Sequence, residues 1–201
     1  MCIKIEKTPP KKYVSSKFAP DTIIYCKQID KKDPDIFYVN NDEMAFVICY
    51  DGTSREIMEP GFYRIIGKPI RVIWIKKVPR EIKIGVPKEA TGKNIGFHAR
   101  IRLHPIDWNI IYEYFDLSAE EHEIRINDIK EIIRESALSA FLTIINSASL
   151  DDINQIKRKF NEELNKVLST TKLAGFAAIV SHLGLSNMCK LPTDIFESIG
   201  G

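Results

Sequence analysis

Glutamine occurs only twice in the 201 residues, at Gln28 and Gln155, while Ile and Lys are abundant, a bias that fits a thermophilic source. Cysteine is also sparse. Cys2, Cys26, Cys49 and Cys189 form no C-x-x-C pair, and their wide spacing excludes both a zinc-finger-like site and a small disulfide scaffold. Cys49 lies in the apolar run Ala45–Tyr50 and reads as a small hydrophobe, so the thiols are expected to be reduced. The longest uncharged stretch, Leu173 to Cys189, is broken by Gly175, His182 and Gly184 and is too short to span a bilayer. Met1 to Pro20 has no apolar core and carries five lysines, so it does not look like a signal peptide. Charge of one sign is lacking too: 29 basic residues against 27 acidic ones leave +2, too little for a bulk-basic nucleic-acid binder. The reading so far is a cytoplasmic protein.

What is present is ordinary globular composition, 44% hydrophobic and 28% charged, which rules out a disordered, collagen-like or simple coiled-coil chain. The length suits one compact unit or two small, closely joined lobes. The near-zero charge is a cancellation. Residues 1–115 hold 20 Lys/Arg against 14 Asp/Glu, and residues 116–201 hold 9 against 13. A basic front and an acidic back imply faces of different character, unless the split is a chance asymmetry.

Along the chain, residues 1–20 (with Pro9-Pro10-Lys11-Lys12) read as a loosely held arm, 21–190 as the domain and 191–201 as a tail. The domain divides into a β-rich lobe, 21–107, and a helical lobe with a closing strand, 108–190. The fold class is α+β. From Asp21 to Asp107 the period is two, with strands expected at Thr22–Cys26, Ile36–Val39, Met44–Tyr50, Arg55–Met58, Phe62–Ile66, Val72–Ile75 and Glu81–Val86, an antiparallel β-meander. Asp51-Gly52 and Pro60-Gly61 mark its turns. Asn94 to His104 is the clearest strand: Ile95, Phe97, Ala99, Ile101 and Leu103 point one way, and His98, Arg100, Arg102 and His104 the other. Beyond Asp107, Ser118-Ala-Glu-Glu121 has the form of a capping box. Amphipathic helices are then expected over Asn127–Ser147 and after the N-cap pattern Ser149-Leu-Asp-Asp152. Phe176 to Leu183 reads as a buried closing strand.

The search for chemistry returns little. Gly92-Lys93 invites a phosphate-loop reading, which fails because Pro87 stands where the loop needs Gly and Asn94 where it needs Ser or Thr. Thr91-Gly92-Lys93-Asn94 reads instead as a turn into the basic strand. His104, Asp107 and His182 are conceivable acid/base groups, but no G-x-S-x-G or H-E-x-x-H frame accompanies them. His182, inside an apolar run, reads as a satisfied core histidine, and Glu120, Glu121 and Glu123 as acids serving a helix N-terminus. No catalytic residue, metal ligand or cofactor is assigned. The local binding candidate is the stripe His98, Arg100, Arg102 and His104, whose alternate side chains lie about 6.6 Å apart on one surface. It suits lipid headgroups, phosphates or an acidic partner. The bland alternative is a solvated sheet face paired with Glu81 or another cross-strand acid.

The order of these parts resembles the SPFH domain of stomatins, prohibitins and flotillins. The carrying motifs are Glu43–Gly52 followed by Glu59-Pro-Gly-Phe-Tyr63, Thr91-Gly-Lys-Asn94 opening Ile95–Leu103, Ile133-Arg134, Ser149-Leu150-Asp151-Asp152, and Gly175-Phe176 through Leu185. Asp21-Thr-Ile-Ile-Tyr25 is similar to the virion-core-protein-like subgroup. The resemblance spans roughly residues 20–190. It implies a non-catalytic, membrane-associated scaffold that forms homo-oligomers and organises partner proteins, sometimes proteases. Where the family has a hydrophobic anchor this chain has a Lys-rich segment, and the family's long coiled coil is missing. The expectation is therefore peripheral contact with an anionic membrane. An anion- or nucleic-acid-binding module using residues 98–104 is the alternative, with nucleic acid the least favoured partner, and a hydrolase using His104 and Asp107 or His182 ranks third.

Overall fold

The computed structural model describes residues 2–67, 69–92, 95–115, 117, 120–147 and 153–186. Among them are strands β1 (Ile3–Glu6), β2 (Thr22–Ile29), β3 (Ile36–Val39), β4 (Glu43–Ile48), β5 (Ser54–Ile57), β6 (Gly61–Ile65), β7 (Ile70–Lys76), β8 (Glu81–Val86), β9 (Gly96–Pro105), β10 (Glu121–Arg125) and β11 (Phe176–Ser186). The helices are α1 (Lys88–Thr91), α2 (Trp108–Tyr114), α3 (Ile126–Ser147) and α4 (Ile153–Leu168). The class is α+β, with every strand ladder antiparallel. Two compact units share the chain: Met1–Pro79 with Phe115–Ile126, and Arg80–Tyr114 with Asn127–Gly201. The boundary thus falls near Pro79 rather than at Asp107.

The first unit holds two sheets, ordered β10-β2-β7-β4-β5 and β1-β6-β3. Only β4 and β5 are neighbours in both chain and sheet, so the strands cross over instead of meandering. Their hairpin closes as the sequence predicts. Asp51 Oδ1 accepts from Thr53 N at 3.0 Å, and Gly52 sits at φ 77°, where a side chain is strained. The expected arm is not loose: Ile3–Glu6 pairs with β6, Val14 bridges to Phe37, and Cys2 and Ile3 are buried. Cys2 is disulfide-bonded to Cys49, with their Cα atoms 6.0 Å apart, which corrects the expectation of reduced thiols for this pair, whereas Cys26 is a buried free thiol. The two cysteines are 47 residues apart in sequence, Cys2 just ahead of β1 and Cys49 just after β4. Trp74, Phe37, Tyr63 and Tyr25 fill this unit's core, with Phe37 and Tyr63 stacked at 5.5 Å.

Glu121–Arg125 corrects the helix-start reading. It is strand β10 on β2, and its acids bind across strands: Glu121 accepts from Tyr25 Oη at 2.7 Å and pairs with Lys17 at 2.8 Å, while Glu123 accepts from Thr22 Oγ1 at 2.9 Å. Ser118 and Ala119 of the proposed capping box lie outside the described residues, as do Ser149 to Asp152 of the second.

The second unit lays α3 and α4 on a three-stranded sheet ordered β11-β9-β8. Alternation buries Phe97, Ala99, Ile101 and Leu103 of β9 to 2% exposure or less. From the helices, Ile133, Ala137 and Phe141 of α3 and Ile156, Phe160, Leu164 and Leu168 of α4 join them, spaced as one face of a helix requires. Phe97 meets Phe141 at 4.3 Å and Phe160 at 5.6 Å between ring centroids. β11 is an edge strand, a liability when its peptide groups are left unpaired. Here α4 supplies the partners: Asn165 accepts from Ala178 N at 2.8 Å and donates to Ala178 O at 2.9 Å, and Asn161 accepts from Val180 N at 2.8 Å.

Candidate functional site

β9 is the centre of the second unit's sheet, so its polar alternate residues look out across a rigid surface flanked by strands on both sides. His98, Arg100, Arg102 and His104 share that outer face, as the alternation predicts, with Arg100 and Arg102 side chains 51% and 41% exposed. The register places Lys83 and His182 opposite Arg100, and Glu81 and Ile179 opposite Arg102. Glu81, the cross-strand acid anticipated from the sequence, pairs with Arg102 at 3.1 Å and more loosely with Arg100 at 3.9 Å. It also accepts from Ser181 Oγ at 2.7 Å. That hydroxyl bond, with the charges of Arg102 and Arg100, holds the Glu81 carboxyl below its ordinary range. Among the described residues Arg100 and Arg102 share the one carboxylate of Glu81 on this face, so that group keeps a net positive charge, with Lys83 beside it on β8. Ile179, 49% exposed, adds an apolar spot among them.

His182 is exposed on this face, not a core residue. A β-bulge between Val180 and His182 explains the difference. Phe176, Ala178 and Val180 point inward, but the next inward residue is Leu183, three positions on, so Ser181 and His182 are both displaced from the core. That break in period was visible in the sequence. The His182 Nε2 lies 3.1 Å from the Nε2 of His98, with the rings near-parallel at 28°. Gly184 makes the approach feasible: a Cβ there would lie 2.2 Å from the His98 ring. Burial, then the neighbouring His182 and Arg100, lower the His98 pKa and favour its neutral imidazole.

The other sequence candidates separate. His104 lies opposite Ala177, near the far end of the ladder from His98. Asp107 Oδ1 accepts from Asn109 N at 3.0 Å and Ile110 N at 3.2 Å, capping α2, so its carboxylate is engaged with backbone and not with a histidine. Gly61 (φ 153°) opens β6 after Pro60, and Gly92 (φ 65°) ends α1. Asn94 lies outside the described residues. Among the described residues no three His, Cys, Asp or Glu side chains gather to hold a metal, and no helix is long and apolar enough to cross a membrane.

Clefts open in the first unit, among them two lined by polar side chains. One of about 420 Å³ is lined by Lys17, Tyr25, Glu121 and Arg125, the other of about 330 Å³ by Tyr13, Ser16, Glu43 and Lys76. In each the polar side chains already answer one another. Buried Glu43 takes Ser16 Oγ at 2.8 Å and Lys76 Nζ at 3.0 Å, and Glu121 takes Lys17 and Tyr25. Comparison with protein-family models and with curated protein sequences returns no match.

Proposed function

We propose that this chain is a non-catalytic interaction domain that binds an anionic membrane surface peripherally and self-associates to organise partner proteins, as an SPFH-type scaffold does. The observation that carries the reading is the positive outer face of β8, β9 and β11, with Arg100 and Arg102 half exposed on the central strand and Ile179 exposed on β11 opposite Arg102. Basic side chains near an anionic leaflet contribute about 1 kcal/mol each. Arg100 and Arg102, with Lys83 beside them, give binding that is measurable at low salt and fades as ionic strength shortens the screening length. The order of the SPFH-like segments supports the scaffold part of the proposal.

Co-sedimentation with phosphatidylserine vesicles at low and high salt tests the membrane part. Arg100→Ala with Arg102→Ala should reduce bound protein about tenfold or more at low salt and flatten the salt dependence. Native mass at several salt concentrations tests the assembly part. A strict monomer with no preference for anionic over neutral vesicles overturns the proposal. The face presents no Phe, Tyr or Trp on which bases would stack, so an oligonucleotide arm of the same experiment is expected to be the weaker one.

A further inference from the structure

The paired histidines go beyond a charged surface. We propose that His98 and His182 form a two-histidine site for a borderline divalent transition-metal ion of the Zn2+, Ni2+ and Cu2+ group, with water or a small anion in its remaining positions. Imidazole nitrogens bind such ions at about 2.0–2.1 Å, so two of them in adjacent positions lie about 3 Å apart. The two Nε2 atoms stand 3.1 Å apart, and an ion equidistant from both would see them at roughly 100°, between the square and tetrahedral angles.

The arrangement is built by backbone. The bulge at Ser181 turns His182 outward, and Gly184 vacates the space that the His98 ring crosses. Both residues sit on paired strands, so neither must be ordered at the moment of binding. In the absence of an ion one neutral ring donates its Nε2–H to the Nε2 of the other; on binding, that ring carries its proton on Nδ1 instead, so both Nε2 lone pairs face the metal. The groups facing the pair are Arg100 and Lys83, with Glu81 and Arg102 beyond them. These cations oppose a bare ion and suit one that carries an anion, since a guanidinium at the rim can bind phosphate or carboxylate held by the metal.

The test is isothermal titration of the full, disulfide-intact chain with Zn2+ and with Ni2+ at pH 7.5. One site is expected in the micromolar range. His98→Ala and His182→Ala should each weaken it about tenfold or more, His122→Ala, on β10 of the first unit, should leave it unchanged, and Arg100→Gln should tighten it by removing a like charge. His98→Gln, which keeps a polar side chain of similar reach, repeats the first result if the alanine variant folds poorly. Absence of binding below millimolar ion, or a site that survives replacement of either histidine, overturns the proposal. Vesicle binding without metal is scored separately and leaves this result untouched.

Discussion

The two units solve the same problem, a sheet with two faces and two edges, by different means. The first covers sheet with sheet and ties its N-terminal segment down with β1 and the Cys2–Cys49 bond. Its buried charges are answered inside: Glu43 by Ser16 and Lys76, Arg71 by Gln28 and the Leu117 carbonyl. The second covers one sheet face with two helices, guards the β11 edge with asparagines, and leaves the opposite face to solvent with a charge excess. The difference teaches where to look for function. Glu43, which takes Ser16 Oγ, Lys76 Nζ and Asn40 N and is buried, has little capacity left for a ligand, whereas half-exposed arginines on a paired strand still present donors to solvent.

The contrast can be broken or sharpened by experiment, because each unit holds one of the two tryptophans, Trp74 in the first and Trp108 in the second. Removing the disulfide has the largest expected effect. Cys49→Ala, or reduction, should cost about 2–4 kcal/mol. Urea unfolding followed by Trp74 in a Trp108→Phe background should register it, with a smaller change in the Trp108 signal of the converse variant. Equal shifts at both tryptophans would mean that the units unfold as one and that the contrast is only architectural. Next comes Asn165→Leu, which strands the N–H and carbonyl of Ala178 and should cost about 1–3 kcal/mol. Hydrogen exchange at residues 176–180 should accelerate while β2 and β7 stay protected.

The smallest effect is that of pH on the second unit. The His98 pKa lies below its ordinary value of 6.5, so folding favours the neutral ring. The associated stability is fully present above the unfolded value and is lost as pH falls from there through the folded value. The urea midpoint read at Trp108 should drop between pH 7.5 and 5.5, and His98→Gln should flatten that drop. A slope unchanged by the substitution would assign it to other groups.

Much of this was legible before any coordinates. The alternation of Phe97 to Leu103 announced both the core and the basic stripe, and the Asp51-Gly52 turn needed nothing beyond its own chemistry. The Leu, Ile and Phe spacing announced α3 and α4, because a helix face is a local property. What escaped depends on partners distant in sequence. Ile3–Glu6 is too short to show a period, and becomes a strand only beside β6. Glu121–Arg125 has the residues of a helix start, but its bonds to Thr22 and Tyr25, about a hundred positions away, decide for a strand. The histidine pair required both a bulge and a glycine on β11, the strand beside that of His98, and only the slip of phase between Val180 and Leu183 hinted at it.

The asparagines of α4 have one further consequence. Four residues of helix rise about 6 Å, and two residues of strand advance about 6.6 Å, so Asn161 and Asn165 step along β11 in time with Val180 and Ala178. They grip peptide groups, which every residue but proline provides in full. Side chains at 178 and 180 are therefore free to drift within the limits of the core. A single inserted or deleted residue between the two contact points, on either the helix or the strand, would leave at most one of the two asparagines in step.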